Sequence, residues 1–150
     1  MPKPLPIYVP AEIADEIAAG GFAGLKDFAL SKGLSATRLN KLFGPGRHTK
    51  IAIWVQIARF ACMPLDDVYK AAKAGKLEKL IDRLLWERGQ TIAGLEAEMG
   101  IGRDVLRSRV TRYDSIATLE KYADTARRLD WTLDKLAAAM LRTENRKAAG

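Results

Sequence analysis

Arginine and lysine side chains form two dense groups in this chain, and side chains of this type bind anions. The first group contains Arg38 and Lys41 with Asn40 between them, and the second contains four arginines between positions 103 and 112. A guanidinium group presents a fork of N–H donors that matches a phosphate or a carboxylate. Over the chain, Lys and Arg total 25 against 18 Asp and Glu, a net charge of +7. This excess favours an anionic partner, with nucleic acid as the first candidate.

Groups for catalysis or metal binding are scarce by comparison. A single histidine, His48, and a single cysteine, Cys62, supply too little for a Ser-His-Asp or Cys-His site, or for a zinc site with several cysteine ligands. The phosphate-binding loop pattern GxxxxGK[ST] does not occur in the sequence. The sequence therefore predicts a protein that is not an enzyme and that uses no metal or other cofactor.

The cysteine content and the N-terminal sequence indicate a cellular compartment. One cysteine cannot form an internal disulfide, and no apolar run approaches the ~20 residues that cross a bilayer. The N-terminus lacks the charged start and long apolar run of a signal peptide. We therefore expect a reduced, cytoplasmic protein that does not associate with membranes.

Apolar residues recur at helical spacing along most of the chain, and no segment has the pattern of a strand. The clearest helix runs from Leu77 to Leu85, where leucine and isoleucine recur three and four positions apart. Prolines at positions 2, 4, 6 and 10 predict an extended arm ahead of the first helix. The pattern predicts an all-α fold.

The helical pattern occurs twice, at an offset of 67 to 68 residues. Gly33-Leu34 falls on Gly100-Ile101, and Leu65-Asp66 falls on Leu133-Asp134. These matches keep their order, which indicates two tandem five-helix repeats of about 65 residues each. The predicted segments are an extended arm at 1–10, a first repeat at 11–75, a second repeat at 76–142 and a flexible polar tail at 143–150.

Residues 25–44 have the pattern of a helix-turn-helix. Ala29 is a small residue on the first helix, Gly33 suits a turn with positive φ, and three leucines of the second helix can face inward. Together with the glycine-containing loop and the long helix that follow, this run resembles the Cro/CI-type (XRE-like) family of helix-turn-helix DNA-binding domains. The resemblance covers about 11–73, and the second repeat is a divergent copy.

The resemblance implies sequence-specific binding of double-stranded DNA in transcriptional regulation, with the second helix of the pair in the major groove. In the first repeat this helix spans 35–43, where Arg38 could contact guanine and Asn40 adenine. The next loop and the first turn of the preceding helix would contact phosphates. The DNA-binding residues implied for the two repeats are Lys26, Ser35, Thr37, Arg38, Asn40, Lys41, Arg47, His48, Lys50, Arg103, Arg107, Ser108 and Arg112.

The arginines of the second repeat leave two interpretations open. They suit the phosphates of DNA, in which case one chain reads two successive major grooves. They equally suit the carboxylates of a protein partner, or the surface where two copies of the chain form a homodimer. The alternative function is therefore a protein-interaction module with a helix-turn-helix fold, such as an antitoxin, an antiactivator or an adaptor.

Two positions of the second repeat depart from the helix-turn-helix pattern. Glu96 takes the place of Ala29, and a long acidic side chain fits a close helix crossing poorly. Arg109 takes the place of the inward-facing Leu42, and an arginine is costly to bury without a partner. Val110 supplies the apolar anchor if the helix is rotated about its axis.

Aromatic and cysteine side chains are expected in the core. Trp54, Trp86 and Trp131 lie beside apolar neighbours at helical positions, so packing explains them better than base stacking. Cys62 lies between Ala61 and Met63, where it is expected to be a small buried residue.

Overall fold

The computed structural model describes residues 10–43 and 48–149, with side chains over 10–43 and 50–142. Within these residues the chain forms helices and no strand, which confirms the all-α prediction. The predicted arm up to position 9 and the loop at 44–47 lie outside the described residues. The helices are α1 Ala11–Gly20, α2 Leu25–Ser31, α3 Ala36–Leu42, α4 His48–Ala61, α5 Leu65–Lys73, α6 Leu77–Glu87, α7 Ile92–Met99, α8 Val105–Thr111, α9 Tyr113–Leu129 and α10 Leu133–Ala149.

Side-chain caps explain where several helices begin. The hydroxyls of Ser35, Thr91 and Thr132 each accept a hydrogen bond from the backbone N–H three residues later, at 3.0 to 3.1 Å. They satisfy one of the free donors in the first turns of α3, α7 and α10. The helix α10 continues to Ala149, through positions 143–149 of the segment that the sequence predicts to be a flexible tail.

The chain forms two compact units, and their division does not follow the predicted boundary after Gly75. The first unit combines the chain up to Ala52 with the part that begins at Thr125, and the second unit is Ile53–Asp124. In the first unit, α1, α2 and α3 are accompanied by α10. In the second unit, α5 packs against α6. The tandem arrangement of two five-helix repeats is therefore not confirmed.

Polar contacts join α10 to α1 in the first unit. The indole N–H of Trp131, just before α10, donates to the Glu16 carboxylate at 3.2 Å. At the other end of the pair, Arg142 forms an ion pair with Glu12. Partial burial raises the pKa of Glu12, but hydrogen bonds from its own backbone and from Arg142 outweigh that effect, and the net pKa lies below the ordinary value.

The core of the first unit is built from both ends of the chain. Each large apolar side chain that leaves water contributes roughly 1.5–3 kcal/mol, so α10 supplies a substantial part of the unit's stability. The buried apolar residues of this unit include Ile13, Ile17, Phe28, Leu39, Ile51, Leu129, Leu133, Leu136 and Met140.

Two expectations about the core are wrong. Trp54 and Trp131 are buried as predicted, but Trp86 is 86% exposed. It follows Leu85 on α6, and one residue of helix turns a side chain by about 100°, away from the buried face. Cys62 is exposed because the chain leaves α4 there with a φ of 54°, which ends the helix.

A fragment that ends at Gly75 would test which helices complete the first unit. Without α10, the apolar faces of α1, α2 and α3 lose their cover, so we expect no cooperative thermal transition by circular dichroism. The full chain is the control and should melt cooperatively. Cooperative melting of the fragment would contradict the arrangement and would support the predicted first repeat.

The variant Arg142→Gln removes the ion pair with Glu12. Because the folded-state pKa of Glu12 is lowered, the pair stabilises the protein above the unfolded pKa of about 4.3, and this contribution is lost as the pH falls through the folded value. The side chain of Arg142 is 60% exposed, so urea unfolding near neutral pH should show a loss within ~1 kcal/mol. The loss should vanish at pH values below the folded-state pKa of Glu12, where the carboxyl is protonated in both states. A loss that persists there would contradict this account.

Candidate nucleic-acid interface

The helices α2 and α3 pack against each other where the sequence predicts a helix-turn-helix. Ala29 is fully buried, which allows α3 to approach α2 closely. Gly33 has a φ of 73°, a conformation that residues with a side chain rarely adopt. The Leu34 N–H then donates to the Ala29 carbonyl at 2.8 Å and closes the turn. Leu34 and Leu39 are buried and Leu42 is half-buried, so this part of the prediction is confirmed.

Arg128 also holds the turn between α2 and α3. Its guanidinium donates to the carbonyl oxygen of Gly33 at 3.1 Å. A Cβ atom at Gly33 would lie 2.7 Å from that guanidinium and would displace it, while the positive φ is what requires a glycine in the turn. The sequence pattern had given Arg128 no role, since it lies 95 residues away along the chain.

The outward side of α3 carries polar and basic side chains. Thr37 and Lys41 are exposed, and their spacing of four residues places them on the same side of the helix. Arg38 is half-buried. Lys26 in the first turn of α2 and Lys50 in α4 are exposed. All five belong to the set that the resemblance implies.

Three other residues of that set are placed differently or lie outside the description. Asn40 is half-buried, and its Oδ1 atom is buried without a hydrogen-bond partner among the described residues, so a contact to adenine would require the side chain to rotate outward. Arg47 lies outside the described residues, as does the side chain of His48. Their phosphate contacts stay predictions.

Glu96 fits the second helix pair, contrary to expectation. It is only 2% exposed, and its Oε2 atom accepts the N–H of Leu106 at 3.0 Å. Asp104 precedes α8 with a φ of 67° and makes no side-chain cap. Glu96 therefore takes the role of an N-cap residue for α8. Although it lies on α7, its carboxylate accepts a hydrogen bond from the first turn of α8.

Val110, and not Arg109, faces the core from α8, as the sequence predicts for a helix rotated about its axis. Val110 is buried and serves as the apolar anchor, and Arg109 is half-buried.

Arg107 is used inside the second unit. Its two terminal nitrogens donate to Glu78 at 2.9 Å and to Asp82 at 3.2 Å, and both carboxylates lie on α6. The hydrogen bond to Glu78, followed by that to Asp82, raises the pKa of Arg107. Both terminal nitrogens of Arg107 already donate to carboxylates. This geometry therefore gives no support to the predicted contact between Arg107 and DNA.

Three other arginines of this region line one cleft of about 310 Å³ in the second unit. These are Arg103, Arg109 and Arg112, and Arg112 also pairs with Asp114 at 3.4 Å. The cleft lies where α8 is followed by α9. Its lining residues are Arg103, Asp104, Val105, Ser108, Arg109, Arg112, Asp114 and Ser115.

Within the described part of the chain, no group of three or more His, Cys, Asp or Glu side chains could hold a metal ion. No helix there is both long and apolar enough to span a membrane. Comparisons of the chain with protein-family models, curated proteins and solved structures find no match.

The contact between Glu96 and Leu106 can be tested by two substitutions. Glu96→Ala removes the acceptor and leaves a buried N–H unsatisfied, which should lower the free energy of unfolding by ~1–3 kcal/mol in urea titrations. Glu96→Gln keeps an oxygen that can accept the bond and should cost clearly less. Equal losses for the two variants would contradict the capping role of the carboxylate.

Proposed function

We propose that the first unit binds double-stranded DNA through α3, as a sequence-specific regulator of transcription. The observation that carries this proposal is the α2–α3 pair, whose inner side is buried around Ala29 and whose outer side exposes Thr37 and Lys41. Seven residues of helix are about 10 Å long and fit within a major groove about 12 Å wide. The pair therefore has the size and the surface of a DNA-reading element.

The charges around α3 support contact with phosphates. Lys26 and Lys50 are exposed on the helices that flank α3 in the chain, and Lys41 is exposed on α3 itself. Their ammonium groups can replace the counterions of a DNA backbone, which gives affinity that falls steeply with salt. Thr37 and Arg38 are then the candidates for contacts to base edges.

The second unit is a weaker candidate for the same role. Arg107 is held by two carboxylates, and Glu96 caps α8. If one chain reads DNA only through α3, a palindromic site would require a second copy of the chain.

A protein-interaction module is the second candidate function. Trp86 and Tyr113 in the second unit are each 86% exposed. Large aromatic side chains supply much of the binding energy in protein interfaces, and their exposure in a free chain is unusual. On this alternative, the second unit binds a protein partner and the chain has little affinity for duplex DNA at physiological salt.

Fluorescence anisotropy with a pool of random DNA duplexes separates the two functions. We expect binding that weakens steeply with salt, and Lys41→Ala should reduce the slope of log K against log salt by ~0.9 for one lost phosphate contact. Lys79→Ala is the matched control, an exposed lysine on α6. Absence of duplex binding, or equal effects of the two substitutions, would contradict DNA binding by α3.

A further inference from the structure

We propose that the arginine-lined cleft of the second unit binds the phosphate group of a small molecule. This site is separate from the DNA-binding side of α3 and does not depend on it. The cleft lies within the second unit, between residues 103 and 115.

Two of the three guanidinium groups in the cleft have no partner within the described part of the chain. Neither Arg103 nor Arg109 forms an ion pair or a side-chain hydrogen bond there. By contrast, Arg107 on α8 donates to Glu78 and Asp82. In the second unit, Arg107, which joins α8 to α6, is therefore paired. The N–H donors of Arg103 and Arg109 are available to a ligand. A phosphate oxygen is the acceptor that such forks bind best.

Ser115 gives a second, independent indication of a ligand. The residue is 8% exposed and lines the cleft, and its hydroxyl has no hydrogen-bond partner among the described residues. The hydroxyl oxygen is not fully enclosed by protein, so an acceptor bound in the cleft can reach it and accept its hydrogen bond. Ser108 adds another hydroxyl to the lining.

The first turn of α9 adds backbone donors at the same place. Ser115 is the third residue of this helix, which has 17 residues. The N–H groups of a first turn have no acceptor inside the helix, and the helix dipole is positive there. Together with the arginines and Ser115, this end of α9 favours an anion.

The shape of the cleft favours a small molecule over a duplex. Its volume of about 310 Å³ is at the lower end of the range for small-molecule sites. A duplex carries its phosphates on a convex surface, whereas Ser115 is more than nine-tenths buried. A small phosphate ester can enter the cleft and reach this hydroxyl.

The carboxylates of the cleft limit its charge. Asp104 and Asp114 oppose three arginines, which leaves one positive charge. Asp114 is paired with Arg112 at 3.4 Å and would repel a phosphate dianion. Removing its charge should therefore strengthen phosphate binding and free Arg112.

Isothermal titration of the full chain with inorganic phosphate tests the site. We expect one saturable site, roughly tenfold weaker in Arg109→Gln and in Ser115→Ala, as for one lost charge-assisted hydrogen bond. Asp114→Asn should bind phosphate severalfold more tightly, which a misfolded variant would not do. Arg83→Gln, an exposed arginine on α6 outside the cleft, is the control and should bind as the wild type does.

Two results would overturn the proposal. The first is the absence of a saturable phosphate site in the wild-type chain, or equal weakening in Arg83→Gln. The second comes from duplex DNA used as a parallel probe. If Arg109→Gln weakens duplex binding as much as phosphate binding, the cleft is a contact to the DNA backbone and not a small-molecule site. Unchanged duplex binding in that variant supports the assignment.

Discussion

Three short helices cannot bury their apolar sides by themselves, and the arrangement of the first unit follows from this constraint. The helices α1, α2 and α3 have ten, seven and seven residues, lengths at which isolated helices are marginal in water. They are stabilised by packing within a unit that also contains the end of α9 and all of α10. Trp131 bonds to Glu16 at the start of α10, and Arg128 bonds to the turn at Gly33. The surface of α3 that we propose for DNA therefore depends on residues from the far end of the chain.

Local patterns in the sequence were sufficient to predict the helices and the turn of the first pair. Apolar spacing gave the all-α class, and Ala29 with Gly33 marked the close crossing and its turn. Each of these features is determined by neighbours within a few residues. The exposure of Trp86 was missed because the residue was assigned from its neighbour Leu85, although the apolar side of α6 at Leu77, Ile81 and Leu85 does not include position 86.

The choice of partner helices could not be predicted, because the two repeats have the same local pattern. Leu65-Asp66 at the start of α5 and Leu133-Asp134 at the start of α10 are interchangeable by sequence. Either helix can present an apolar face to α1, so spacing does not distinguish them. Contacts specific to one pairing, such as Trp131 with Glu16, are separated by 115 residues and leave no periodic signal.

The roles of residues in the candidate sites also depend on contacts between residues that are far apart in the sequence. Four arginines within ten residues indicate anion binding, but their roles depend on distant carboxylates. Arg107 donates to Glu78 and Asp82, 29 and 25 residues earlier, so its guanidinium joins α8 to α6. In the sequence, Glu96 departs from the helix-turn-helix pattern. In the structure, α7 packs against α8 and the Glu96 carboxylate caps α8.

Amide chemical-shift mapping by NMR would show whether α3 reads DNA. The labelled chain would be titrated with a duplex selected from a random pool. The account predicts that the largest shifts occur in Ala36–Leu42 and the first turn of α2, with smaller changes in α8. Shifts confined to Ile53–Asp124, or no shifts with any duplex, would contradict it and would favour a protein partner for this chain.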